Sequence, residues 1–591
     1  VSEIYAGFAV SAFLVRLGFN FEISFRRMRK SKQVTRLSLA SLVLVGSLGI
    51  SMGPSWAAIP SATNELTVTP VGSFSGGGEA AAEIVGFDAE TNRAFVTNGL
   101  AGAIDIIDFS DQESPSLLAR IDITPYGDDI TSVAVKGGIV AAALTNAPSG
   151  SNAIASIAPV NGSVILLDTS GIVLNQLPTG VLPDSLTFSR DGKTIVVAGE
   201  GEPICDPDND DPNLAQDPLG TVSIIDLSNG ALGATVTTLD FSSFGKDALL
   251  AENVRIFFPG STAAQDLEPE FATISSDGTR AYVTLQENNA IAVVDLLNRQ
   301  IIDVVSLGYK DHSLPDNGLD ASDRDDGNGG PATNIAQWPL LGMFQPDAIS
   351  AFMTPSGEFL ATANEGDARD YSCYSEEKRI SGLNFAGSAV DSSLLTNLTL
   401  GRLNSTTAFP TASPITSMYS FGARSFSIWS TNGALVWDSG DQLEQFIAAT
   451  YPTLHNAQNA DPSSYDGRSD NKGPEPEGLV VGNVGGRSIA FVGLERAGGI
   501  AVYDVTSPSA PTFNSYINPL INGSGPGSTD SGPEGLTFVS GCETSDGIPL
   551  VLVANEISGT TTMYRVTGGA PDVCTTVVPS ILAVVAPAFT G

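Results

Sequence analysis

The sequence predicts an all-β fold: a seven-bladed β-propeller closed by an N-terminal strand, with long inter-strand loops. Three observations carry that reading. One motif recurs seven times, each copy holds two β-like runs around a turn, and an unmatched β-like segment precedes the first copy. The copies are AEIVGFDAETNRAFVTNG (82–99), TSVAVKGGIVAAALTN (131–146), PDSLTFSRDGKTIVVAGEGE (183–202) and PEFATISSDGTRAYVTLQEN (269–288). PDAISAFMTPSGEFLATANEGD (346–367), PEGLVVGNVGGRSIAFVGLERAGG (476–499) and PEGLTFVSGCETSDGIPLVLVANEISG (533–559) complete the set.

Within the copies, SRDGK, SSDGT and TPSGE are hairpin turns between apolar runs. A third β-like run follows most copies: AIDIIDFS (103–110), SVILLDTS (163–170), TVSIIDLS (221–228), AIAVVDLL (290–297) and GIAVYDVT (499–506). RSFSIWST (424–431) and TTTMYRVT (560–567) fill the same slot in the other two. The last copy stops after its third strand, so ELTVTPVGSF (65–74) is predicted to complete the last blade and close the ring. Blades of about seventy residues exceed the ~40–50 of common propeller repeats. The excess falls in 229–265, 304–344, 372–420 and 440–474, whose Asp, Asn, Ser and Gly content reads as surface loops.

The predicted organisation is an upstream extension and signal peptide over 1–57, a propeller over 58–570 and a C-terminal tail over 571–591. The signal peptide runs from Met28 to Ala57, with a basic start, an apolar run near Leu39–Ile50 and Ser55-Trp56-Ala57 before Ala58. Export to the periplasm, cell surface or extracellular space is the expectation. The apolar 577–589 is too short and too broken by Pro to span a bilayer. Four Cys in an exported chain permit two disulfides in three connectivities, and Cys542–Cys574 is the preferred pair because both flank the last repeat.

A net charge of −37 excludes nucleic acid as a partner, while 42% hydrophobic residues exclude general disorder. The repeat puts its acids in register. A propeller's first strand lines the central channel and the second returns beside it, so the start of one and the end of the other share a face. The first position is Glu83, Thr131, Asp184, Glu270, Asp347, Glu477 and Glu534. The second is Asn98, Asn146, Glu200, Glu287, Glu365, Glu495 and Glu556. Glu268 and Glu475 stand just outside this ring.

So many carboxylates at one mouth need a counter-charge. Either protons and Arg369, Arg424 and Arg496 supply it, or bound cations do. Oxygen donors without thiolate or imidazole favour several Ca²⁺ ions over Mg²⁺ or Mn²⁺. The acidic loops at Asp206–Asp211 and Asp320–Gly327 lack a full calcium-loop pattern and read as solvated surface. The two His, His312 and His455, lie in polar loop sequence, which excludes a three-His zinc site and disfavours a Ser-His-Asp mechanism. No phosphate loop or nucleophile elbow is present.

LEPE (267–270), LQENNAIAVVD (285–295), QPDAI (345–349), ANEGDARDY (363–371), FGARSFSIW (421–429), SDNKGPEPEGL (469–479), FVGLERAGGI (491–500) and VANEISGT (553–560) resemble the bacterial choice-of-anchor I family. That group is also labelled as similar to mesenchyme-specific cell-surface glycoproteins. The resemblance implies export and a propeller. Some relatives are labelled alkaline phosphatase, and the layout is similar to calcium-dependent β-propeller phytases, although no catalytic residue aligns. Two functions follow. One is an exported, monomeric calcium-binding module for a cell-surface ligand. The other is a calcium-dependent phosphoesterase acting on phosphate esters. In the latter, Glu270, Glu477 or Glu534 would take a proton from water, and Arg369, Lys472 or Arg496 would hold phosphate.

Overall fold

Each of the seven copies builds one four-stranded antiparallel sheet in a computed structural model that describes residues 59–147, 158–206, 211–572 and 574. The signal peptide, the upstream extension, Asp208 and Asp210, and 577–589 lie outside the described residues. The first sheet shows the plan: Val85–Asp88, Arg93–Asn98, Ala103–Asp108 and Ser116–Asp122 follow one another as neighbours. The fifth sheet departs from it only by a long excursion, since Gly357–Asn364 pairs with Ser425–Ser430. In the seventh, Pro533–Val539, Leu550–Asn555 and Thr560–Thr567 take their outer strand from the other end of the chain. Thr67–Ser75 pairs antiparallel with Thr560–Thr567, as the unmatched segment predicts.

Period-two alternation gives every sheet two apolar faces, and each face packs on a neighbouring sheet. In the seventh sheet Val551 and Val553 pack against Phe491 and Val502 of the sixth, whereas Leu550 and Leu552 pack against Val85 and Ala94 of the first. The same interleaving recurs between the remaining consecutive sheets, so the seven cores join in a closed ring. The first strands of all seven meet around a central cavity lined by residues such as Val133, Leu186, Ile349 and Thr537. This arrangement is a β-propeller.

The long inter-strand segments are more than surface loops. Leu249, Val254, Ile256 and Ala263 of 229–265 are buried against the third and fourth sheets. Segments 304–344 and 372–420 pack on one another through a separate cluster of Leu319, Leu340, Ile380, Leu400, Leu403 and Met418, and 440–474 joins them through polar contacts such as His455 with Asp320 and Asp470 with Arg402. The apolar residues there are sparse and aperiodic, which is why composition reads as solvated. His312 and His455 are buried, at 1% and 0% exposure, as is Asp320 at 0%. The expectation of a solvated acidic loop at 320–327 is therefore corrected for Asp320. Two disulfides form, Cys542–Cys574 as preferred, and Cys205–Cys373, which ties the third sheet's loop to the fifth's.

Candidate functional site

The Pro-acid-small start of a repeat aims its acid by a bulge. Pro476 pairs with Leu494 and the ladder resumes at Leu479 with Val492, so Glu477 and Gly478 together oppose one residue. Pro533–Leu536 and Pro183–Leu186 repeat this, placing Glu534 and Asp184. Gly is required for a second reason. A Cβ on Gly478 would stand 1.7 Å from the Glu534 carbonyl oxygen, and one on Gly535 2.5 Å from that of Glu83. The Gly535 amide donates to that Glu83 oxygen at 2.9 Å. Neighbouring first strands thus touch backbone to backbone at the channel mouth.

The predicted ring assembles there. Burial, then Glu556, Asp129 and Asp184, push Glu83 up to about 7. Burial, then Glu202, bring Asp184 to about 7. Burial also raises Glu287 and Glu495 to about 7, against the pull of Arg369 on the former and Arg496 on the latter. Glu200, Glu270, Asp347, Glu477 and Glu534 lie well above the usual carboxylate range, through burial first and then their ring neighbours. Glu556 is raised by burial and Glu79. Burial opposes ionisation of Glu365, but Lys472 and a 2.9 Å hydrogen bond from Gln286 outweigh it and hold this carboxyl low.

Two places in the ring could hold a cation. Glu365, Glu477 and Glu495 each present an oxygen within 4.8 Å of the others. Beside them, Glu200, Glu202, Glu270, Glu287, Asp367, Asp370 and Glu377 line a pocket of about 290 Å³. Glu270 Oε2 and Glu477 Oε2 are buried without a hydrogen-bond partner. The ring is incomplete over the first two sheets. Asn98 donates to Asp105 at 2.9 Å and caps a turn, Asn146 donates to the Asn161 carbonyl, and Thr131 to that of Pro183.

The structure corrects the outer ligands and the phosphate-holding cations. Glu268 is bound by Arg369 at 2.8 Å and by Tyr371 at 3.2 Å. Glu475 is fully buried among Arg468, Lys472 and Arg496. Arg369, 1% exposed, is enclosed by Asp266 and Glu268 and stacks on Phe257. Lys472 bonds Glu365 and reaches Asp367 at 3.3 Å, and Arg496 bonds Glu495 at 2.6 Å. These cations neutralise acids of the protein itself. Arg424 likewise holds Glu444 at 2.8 Å and not the ring. Sequence reasoning missed Asp129, Glu202, Asp367, Asp370 and Glu377. GEGE (199–202) and NEGDARD (364–370) hold three of them in plain view, just beyond the second ring position.

The chain is 31% identical to Gigasin-3a of Magallana gigas over 165 residues, 26% of this chain and 58% of that protein. It is 34% identical over 114 residues to a mesenchyme-specific cell surface glycoprotein of Strongylocentrotus purpuratus, 17% of this chain and 15% of the other. The matches thus span less than two thirds of either relative. Among solved structures, the Cps50 (Swd1) β-propeller domain of Myceliophteria thermophila aligns with TM-score 0.40 and 9% identity, covering 85% of this chain and 100% of that one. A streptogramin B lyase aligns with TM-score 0.39 and 11% identity, covering 85% and 97%. The choice-of-anchor I domain matches residues 83–508, and the chain belongs to that family.

Proposed function

We propose that the chain is an exported, calcium-binding β-propeller acting as a surface binding or interaction module, with the carboxylate ring as its cation site. One observation carries the reading. Oxygens of Glu365, Glu477 and Glu495 converge within 4.8 Å, and Glu477 Oε2 is buried with no donor facing it. A hard cation with six to eight oxygen ligands suits such a set. The family, the two disulfides and the cell-surface name of the Strongylocentrotus relative support an extracellular or cell-surface setting. Among the described residues no helix is long and apolar enough to cross a membrane.

The phosphoesterase reading is weaker, because Arg369, Lys472 and Arg496 already face protein carboxylates. Calorimetric titration of metal-stripped protein with CaCl₂ tests the proposal. Saturable binding that falls at least tenfold in Glu477→Gln supports it. No heat of binding, or equal affinity in that variant, overturns it. Release of phosphate from a chromogenic ester that disappears with chelator and in Glu270→Gln would favour the phosphoesterase instead.

A further inference from the structure

A second constellation lies away from the ring, inside the packed loop segments. Asp320, His455 and Asp466 are each 0% exposed and present ligand atoms within 4.8 Å of one another. His455 Nε2 lies 3.1 Å from Asp320 Oδ2. Three atoms of the cluster and its neighbour are sealed from solvent without any hydrogen-bond partner: Asp320 Oδ1, Asp325 Oδ2 and His455 Nδ1. Asp325 belongs to the group, since the Ala332 amide donates to both Asp325 Oδ1 at 3.1 Å and Asp466 Oδ2 at 3.0 Å.

Three carboxylates surround one imidazole here. Arg424 approaches, but its Nη1 and Nη2 donate to the carbonyls of Asp320, Ser469 and Asn471 and to Glu444, while its Nε is buried without a partner. Orphaned buried polar atoms cost about 1–3 kcal/mol each, so a ligand that satisfies them would stabilise the site. Carboxylates suit Mg²⁺, Ca²⁺ and Mn²⁺ and imidazole suits transition ions such as Zn²⁺, so a divalent transition ion uses the whole set where Mg²⁺ and Ca²⁺ do not.

We propose that Asp320, His455 and Asp466, with Asp325 completing the shell, bind one divalent transition ion, with chemistry of the Mn²⁺ or Zn²⁺ kind. The ion clamps segment 319–334 to segment 455–469 and thereby fixes the loop layer. Existing bonds already draw these segments together: the Ala332 amide donates to Asp466 at 3.0 Å, and the Thr333 and Tyr465 hydroxyls lie 2.9 Å apart.

The test uses the full chain, metal-stripped and titrated with MnCl₂. The site predicts about one tight equivalent and a melting point about 2–3 °C higher at a hundredfold excess over Kd. Electron spin echo spectroscopy of the bound Mn²⁺ must show a coupled imidazole nitrogen. The chain has only two His. The other, His312, donates from Nδ1 to the Asn317 carbonyl, 2.7 Å away. His455→Ala should lose the nitrogen signal and the tight equivalent, whereas Glu477→Gln should keep both. Manganese bound without nitrogen coupling, or a coupling that persists in His455→Ala, overturns the proposal. So does a wild-type protein that binds none. The spectroscopic arm needs no variant, and the Glu477→Gln control separates this site from the ring.

Discussion

In metal-free protein, raising the pH should destabilise the fold, and the size follows from the ring's carboxylates. Glu83 rises from 4.5 to about 7 on folding. At about 1.4 kcal/mol per tenfold in proton affinity, ionising this one group costs the folded state about 3 kcal/mol. The sign follows from proton counting. Between pH 4.5 and 7 the folded chain keeps a proton that the unfolded chain has released. Stability is therefore complete below 4.5, falls through that window and is lowest above 7. Asp184, Glu287 and Glu495 titrate in the same range but interact, so their costs do not simply add. Surface aspartates such as Asp277, held low by bonds from Ser275 and Thr279, titrate below the window and stay silent in it. An unfolding entropy of about 2 cal/mol/K per residue makes 1 kcal/mol worth about 1 °C here, so Glu83 alone predicts a fall of about 3 °C. Scanning calorimetry of metal-stripped protein from pH 4.5 to 8 measures it. Saturating CaCl₂ should flatten the slope. A melting point that is constant or rising between pH 5 and 7.5 without metal, or a slope that calcium leaves unchanged, refutes the reasoning.

Gly478→Ala should destabilise by several kcal/mol, about 3 or more, because its Cβ meets a backbone oxygen that cannot yield. Gly78→Ala, with nothing within 4 Å, should stay within about 0.5 kcal/mol in the same urea titration. Deleting residues 59–75 removes the strand paired with Thr560–Thr567 and should yield aggregated protein by size-exclusion chromatography; a native-like monomer would contradict ring closure by that strand. Cys205→Ser opens a link across 168 residues, against 32 for Cys542→Ser. Chain entropy predicts losses of about 5 and about 4 kcal/mol, so the first variant should melt lower.

The propeller was legible because it depends on local rules repeated seven times. The unbroken apolar run in LVLVAN or RAFVTN marks a strand buried on both faces, and SSDGT marks a hairpin. The ring was legible for the same reason: a side chain at a fixed repeat position must fall at a fixed place around the axis. The bulge after Pro476 was not, since nothing in PEG distinguishes a bulged start from a tight turn. The loop layer was hidden more deeply. Ile380 and Leu400 become core through packing in one cluster with Leu319 and Leu340 of a distant segment, and such contacts leave no periodicity.

The cations show where sequence proximity misleads. Arg369, Lys472 and Arg496 sit within a few residues of ring acids, which suggested that they face the same opening. Chain neighbours at a strand end diverge, however, once the backbone turns away from the channel. Arg369 instead enters a buried network with Asp266, four residues before Glu270 in sequence but behind it in the fold. The consequence is electrostatic. The protein's own positive charges pair with Asp266, Glu268 and Glu475 and also with the ring acids Glu365 and Glu495, and leave Glu270, Glu477 and Glu534 without a paired cation. An inner ring with three such unpaired acids favours a small positive charge over an anion. A phosphate would meet that inner ring as a like charge unless a cation had arrived first.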